Sequence, residues 1–284
     1  MFKNKTIALV GCSDGRKKDW KPKLEKLVAL LESLGLKVKI GKYLFETEDI
    51  FSRTGKERAE ELNEFYRDDE VNAIFDISGG NVANETIEFI DFEEIKNSDK
   101  MYYGYSDLTT IITSIYSKTG KSSGLYQIRN LLYSDEVNQI EYFKDSILSD
   151  GNKLFSFNYE FFRGTSMKGQ VLGGNLRCLL KLAGTEYFPD FDNKIIFIEG
   201  LGGLLPQFIT MFTQLRMLGV FENAAGLIVG NFTEIQENKF DDKLMELVLE
   251  NVPQDIPIVR AMEIGHQVDS KAIMIGDHID LNKN

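Results

Sequence analysis

Short apolar runs alternate with amphipathic stripes along the N-terminal part of the chain. Residues 5–10 (KTIALV) are a continuous apolar run punctuated by Gly11, Cys12, Ser13 and Asp14. Residues 22–34 carry Leu24, Leu27, Val28, Leu31 and Leu34 at helical spacing, closed by Gly35, and residues 36–40 form the next run. Strand, helix and strand in so short a length mark a βαβ unit, because parallel strands need a crossover that a helix supplies. The pattern repeats. Residues 57–67 are amphipathic, and residues 71–77 are apolar and end in Ser78, Gly79, Gly80 and Asn81. Residues 87–95 have helical spacing, and Met101, Tyr102 and Tyr103 end a further buried run. The expected fold class is α/β, beginning with a doubly wound parallel sheet whose ligands lie beyond the carboxyl ends of the strands.

One such strand end carries a serine. In residues 101–113 (MYYGYSDLTTIIT), Gly104 permits an abrupt turn and apolar residues at helical spacing follow Asp107. Ser106 therefore falls on a strand-to-helix corner, which lifts a hydroxyl out of the sheet and leaves the next backbone N–H groups free to receive negative charge. The match to a G-x-S-x-G elbow is partial, and Asp107 also suits a helix N-cap or first-turn acid. A serine nucleophile needs a base and a group to orient it. His266 follows a strand and Gly265, which presents it on a loop either as a base or bonded to backbone. His278, between Asp277 and Asp280 in an expected terminal hairpin, reads as solvated surface. Glu199 ends the otherwise apolar run KIIFIEG. An acid there is either paired, for which an imidazole would serve, or turned out to solvent. The Asp107 N–H and an N–H of the Gly79-Gly80 loop could receive an oxyanion, although glycines at such a turn can also serve conformation alone. Gly173, Gly174 and Asn175 suit a helix entry capped by the asparagine.

Composition narrows the function. At 284 residues, 43% hydrophobic and 27% charged, the chain suits one large or two ordinary soluble domains. A net charge of −11 argues against nucleic acid or an anionic membrane as partner, since both require basic surface. The N-terminus lacks a signal-peptide pattern, so a cytoplasmic location is expected. Cys12 and Cys178, without C-x-x-C spacing, argue against a disulfide framework or zinc site, and residues 11–15 lack the spacing of a nucleotide-binding loop. No metal or cofactor is expected. Residues 131–163 are richer in polar residues, and SFNYEFFRGT alternates like an antiparallel strand. From residue 170 onward, short runs ending in glycine are interrupted by two helical stretches, residues 175–182 and 206–218. The expected division is a nucleophile domain (1–130), a crossing segment (131–164) and a domain of mixed sheet (165–284) bearing Glu199 and His266.

The ordered segments GGNVANETIEFIDFEEI, YYGYSDLTTIITSIYSKTG, LGGNLRCLLKLAGTEYFPDFDNKIIFIEG, LRMLGVFENAAGLIVGNF and PIVRAMEIGHQVDSKAIMIGDHIDL resemble the LD-carboxypeptidases. That family includes muramoyl-tetrapeptide carboxypeptidases and microcin C self-immunity peptidases. The resemblance implies a class I glutamine-amidotransferase-like (flavodoxin-like) parallel-sheet domain followed by a swivelling β/β/α-type domain. It implies a Ser106, Glu199, His266 triad and an oxyanion hole from the backbone of Asp107 and Gly80. Gly79 and Asn81, beside that hole, are the expected substrate contacts. The implied protein is a cytoplasmic homodimer that hydrolyses the L-to-D amide bond near the C-terminus of a murein tetrapeptide. An immunity-type enzyme would instead cleave the amide bond of a peptidyl or aminoacyl nucleotide, with Phe155, Phe157, Tyr159, Phe161 and Phe162 either a platform for adenine or plain strand core. A non-catalytic peptide-binding module is the alternative of another class. Departures from the family fall on the substrate side, at residues 11–14, 118–127 and 267–271.

Overall fold

The computed structural model describes residues 5–47 and 52–283. Five strands, β1 (Thr6–Val10), β2 (Lys37–Ile40), β3 (Val71–Asp76), β4 (Met101–Gly104) and β5 (Ser123–Leu125), pair in parallel in the order β5-β4-β3-β1-β2. All of β1 is buried, as a near-continuous apolar run requires when helices cover both faces. β2 lies at the sheet edge, with Lys37 exposed and Lys39 half-buried. A second sheet is built from β6 (Glu160–Arg163), β7 (Ser166–Asn175), β8 (Lys194–Gly200), β9 (Gly226–Phe232) and β10 (Ile258–Arg260), with β7 to β10 parallel and β6 antiparallel against β10.

The last two strands part company. β11 (Ile273–Ile275) runs antiparallel to β5 in the first sheet, whereas β12 (His278–Asn282) runs antiparallel to β7 in the second. The terminal hairpin expected from the sequence is therefore absent. Gly276, at φ 100°, redirects the chain between the sheets, and a Cβ there would lie 2.9 Å from Tyr116 Cδ2 and 3.0 Å from Ser122 Cα. His278 is exposed on β12.

Helices cover the first sheet largely as the spacing implies. Lys21–Ser33 buries Leu24, Leu27 and Leu31, and Gly55–Arg67 begins with a capping box between Thr54 and Glu57. The single helix expected over residues 87–95 is instead two, Ala83–Ile87 and Phe92–Asn97. Asn63 holds the intervening turn, donating to the Phe89 carbonyl at 3.0 Å and accepting from the Asp91 N–H at 2.9 Å, while the Asp91 side chain caps the second helix. In the second half, Leu176–Leu180 and Leu205–Met217 correspond to the two expected helices. Asp241–Asn251 was not anticipated, although Leu244, Met245, Leu247 and Val248 form its buried stripe.

Close packing at one glycine yields a stability prediction. A Cβ on Gly124 of β5 would lie 2.2 Å from Tyr103 Cδ1, and the Tyr103 ring is stacked on Phe75 with centroids 4.4 Å apart. The ring has little room to yield. Gly124→Ala is expected to destabilise the protein by about 1–3 kcal/mol, read as a lower urea midpoint.

Candidate active site

The corner at Ser106 is formed by backbone geometry. After β4, Tyr105 is extended, and Ser106 adopts φ 61°, a left-handed conformation uncommon for a non-glycine residue and characteristic of strained functional turns. Residues Ser106–Leu108 make one 3-10 turn that leads into the helix Thr109–Thr119. Gly104 allows the fold-back, since a Cβ there would meet Leu108 Cβ at 2.9 Å.

Asp107 anchors this corner rather than capping its own helix. Its carboxylate is fully buried, and Oδ2 accepts from the Ala83 N–H at 2.8 Å and from the Ser13 hydroxyl at 2.7 Å. Oδ1 accepts from Lys181 Nζ. Burial alone would raise the Asp107 pKa, but Lys181, the Ala83 N–H and Ser13 together hold it below the ordinary carboxylate range. A carboxyl lowered in the native state contributes stability that is present above its unfolded pKa and is lost as pH falls through the native value. Lys181→Met leaves the buried charge without its ion pair and is expected to cost about 3 kcal/mol. It should also move the acid-unfolding midpoint to higher pH, as followed by circular dichroism.

Glu199 and His266 come together from distant segments. Glu199, near the carboxyl end of β8, is fully buried, and its Oε2 lies 2.5 Å from His266 Nδ1. Neither of the open alternatives, an acid turned to solvent or a histidine bonded to backbone, describes this pair. His266 Nε2 and Glu199 Oε1 are buried without a hydrogen-bond partner among the described residues. With a proton on Nδ1 directed at the carboxylate, Nε2 presents a lone pair. The imidazole packs against the Tyr105 ring, centroids 4.3 Å apart, and the Tyr105 hydroxyl donates to the Gly265 carbonyl at 3.1 Å. The histidine is thus held against the residue that precedes Ser106. Gly265, at φ 156°, lets its loop lie on the end of β9, where a Cβ would meet Asn231 Cβ at 2.5 Å.

Ser106 and Glu199 both border a cleft of 640 Å³, which is also lined by Gly80, Asn81, Arg177 and Gln207. The Gly79-Gly80 loop is clamped beside it. Gly80 adopts φ 131°, and a Cβ on it would lie 2.3 Å from the Asp14 carboxylate. Asp14 accepts from the Asn81 N–H at 3.0 Å, Arg177 donates to the Gly80 carbonyl at 3.0 Å, and Lys181 donates to the Asn81 carbonyl at 2.7 Å. Asp14 thus braces the loop, a role the sequence did not indicate.

A second supporting acid also went unnoticed. Asp76, the last residue of β3, is buried and accepts from the Cys12 N–H at 2.9 Å, the Ser78 N–H at 2.8 Å, the Ser78 hydroxyl at 2.6 Å and the Tyr102 hydroxyl at 3.0 Å. Burial pushes its pKa up despite those donors. The signal that singled out Glu199, an acid closing an apolar run, was present here too. The aromatic set at residues 155–162 is not brought to the cleft. Phe161 is buried, Phe157 and Tyr159 pack on the same core, and Phe162 is exposed. Among the described residues, no group of three or more His, Cys, Asp or Glu converges as metal ligands, and no helix is long and apolar enough to cross a membrane.

Comparison with known proteins accounts for this architecture. Residues 7–127 match the LD-carboxypeptidase N-terminal domain, and residues 168–281 match the LD-carboxypeptidase C-terminal domain. A probable murein peptide carboxypeptidase of Bacillus subtilis (strain 168) is 32% identical over 276 residues, covering 92% of this chain and 84% of its own. The Microcin C7 self-immunity protein MccF of Escherichia coli is 29% identical over 238 residues, 72% of this chain and 68% of its own. A solved structure of MccF in complex with aspartyl sulfamoyl adenosine has a TM-score of 0.86 at 23% identity, covering 99% of this chain and 94% of that one. The muramoyltetrapeptide carboxypeptidase from Oxalobacter formigenes has a TM-score of 0.83 at 22% identity, covering 99% and 96%. At those identities the structures speak to the fold, and they share its two-domain, two-sheet plan. Both family segments are matched in order over most of the sequence, and the chain therefore belongs to the LD-carboxypeptidases, a family of serine peptidases.

Proposed function

We propose that the protein removes the C-terminal D-residue of a murein tetrapeptide by hydrolysing the L-to-D amide bond, with Ser106 as nucleophile. The observation that supports this best is the buried Glu199–His266 pair, whose imidazole packs on Tyr105, the residue before Ser106, and whose Nε2 has no hydrogen-bond partner among the described residues. His266 takes the Ser106 proton as Oγ attacks the carbonyl and returns it to the leaving amine. Glu199 orients the ring and stabilises the imidazolium. The backbone N–H groups of Asp107 and Gly80 receive the oxyanion, and Gly79 and Asn81 contact the substrate. Water then hydrolyses the acyl-enzyme by the reverse proton path. The nucleophile domain (1–130) and the domain bearing Glu199 and His266 (165–284), joined by the crossing segment 131–164, each supply part of this machinery. In this reading the enzyme is a cytoplasmic homodimer that serves peptidoglycan recycling.

A second substrate is favoured by the likeness to MccF, namely a peptidyl or aminoacyl nucleotide. Release of D-alanine from L-Ala-γ-D-Glu-meso-diaminopimelyl-D-Ala and from its L-lysine counterpart decides between them, with Ser106→Ala as the blank. Ser106-dependent release is expected. No release, with Ser106 still labelled by a fluorophosphonate probe, would transfer the assignment to the nucleotide substrates. Neither release nor labelling would leave a non-catalytic peptide-binding module.

A further inference from the structure

Two guanidinium groups near the Ser106 corner have no part in that mechanism. Arg16, on the loop after β1, donates through Nε to the Ile77 carbonyl at 2.9 Å. Arg129, in the turn Ile128–Leu132 after β5, donates through Nε to Gln127 Oε1 at 2.8 Å. Each fork is pinned by one edge. Among the described residues, neither arginine forms an ion pair, and their Nη groups make no hydrogen bond. The two acids whose charge is felt at Arg16 are already engaged, Asp14 with Asn81 and Asp76 with its four donors.

The position of Arg16 relative to the serine is set by a bare glycine. A Cβ built on Gly79 would lie 3.8 Å from Arg16 Nη2 and 3.9 Å from Ser106 Cβ, so guanidinium and serine flank the same stretch of side-chain-free backbone. Burial, and then the like charge of Arg129, push the Arg16 pKa down to about 10, which still leaves it charged at neutral pH. The Arg129 charge is also felt at the Tyr105 hydroxyl, one residue before the nucleophile. A half-buried guanidinium beside a like charge and without an ion pair is costly to hold, and a carboxylate at its free edge relieves that cost. Arginine suits the task, because its fork binds a carboxylate bidentately.

We propose that Arg16, backed by the charge of Arg129, is the receptor for the free α-carboxylate of the C-terminal residue, one residue beyond the carbonyl that Ser106 attacks. The inference rests on the assignment of Ser106 as nucleophile. An exopeptidase must place its anion receptor about one residue length, roughly 3.8 Å, past the scissile carbonyl, and the Arg16 fork and Ser106 lie on either side of one point beside Gly79. Specificity for chain ends then comes from neutralising this charge pair. An internal peptide bond, whose next carbonyl is uncharged, leaves the pair unneutralised.

The test compares kcat/KM for the tetrapeptide ending in D-alanine with that for the same peptide ending in D-alaninamide. Wild type should favour the acid by about 100-fold or more, and Arg16→Gln or Arg129→Gln should each reduce that ratio by about 10-fold or more, chiefly through KM. Arg16→Lys, a gentler change to the fold, should restore the ratio only in part. An acid-to-amide ratio near one, or a ratio untouched by both glutamine variants, would overturn the proposal while leaving the serine peptidase in place. Calorimetry of N-acetyl-D-alanine and its amide on the Ser106→Ala protein gives a readout that needs no turnover. If wild type cleaves neither peptide, the murein substrate falls, and the arginine receptor still stands on acid-selective binding that either Arg→Gln change removes. Absence of that selectivity, or tighter binding of an N-acetyl phosphoramidate than of the acid, would refute the carboxylate assignment.

Discussion

Replacing Ser106 with alanine is expected to lower turnover by about 10⁴-fold or more, leaving whatever acceleration oxyanion donors and binding provide without a nucleophile. The substitution removes one oxygen atom from a residue that borders the cleft and whose hydroxyl makes no described hydrogen bond. Substrate affinity should therefore change little, and the loss should appear in kcat. Stability offers a second measurement. At φ 61°, serine and alanine both pay for a left-handed backbone, a cost on the order of 1–2 kcal/mol that glycine avoids. Ser106→Gly should thus be inactive and also carry a higher urea midpoint than Ser106→Ala. Near-wild-type turnover in either variant would remove Ser106 from the mechanism, and a glycine variant no more stable than the alanine one would show that the corner stores no strain.

What could be read from the sequence was whatever local spacing encodes. Continuous apolar runs marked β1, β3 and β8, and the glycine before Ser106 marked the corner, because those features depend on residues a few positions apart. Glu199 was legible because an acid at the end of a buried strand needs a partner, and His266 because it is one of only two histidines. The supports of the site were not legible. Asp107 is held by Ser13, Ala83 and Lys181, which are 94, 24 and 74 residues away, so its identity as an anchor exists only in the fold. The charge of Arg129 is likewise felt at Arg16 only in the folded chain, since the two follow different strands far apart in sequence. The partings of β11 and β12 depend on space beside Tyr116 and Ser122, and local alternation said nothing about which sheet would accept each strand. Asp241–Asn251 is a different case, since its apolar stripe is present in the sequence but short and set among glycine-ended runs.

Glu199→Gln is expected to lower kcat by roughly 10³–10⁴-fold with a folded protein retained, since the change is nearly isosteric and tests charge and tautomer together. Two orientations of the new amide are open. If its NH₂ faces Nδ1, the ring must carry its proton on Nε2 and present a donor where the Ser106 hydroxyl needs an acceptor. If its oxygen faces Nδ1, the tautomer survives, but the NH₂ occupies the buried site of Oε1, which has no partner among the described residues, and the imidazolium loses its counter-charge. Both orientations are costly. The sharper test is additivity, because in the proposed mechanism Glu199 acts on the reaction only through His266 and Ser106. A Ser106→Ala, Glu199→Gln double variant should therefore be about as slow as Ser106→Ala alone, whereas independent roles would multiply the two losses. Multiplication would mean that Glu199 serves substrate or fold directly, and the buried pair at 2.5 Å would then be a structural bond rather than the base and its orienting acid.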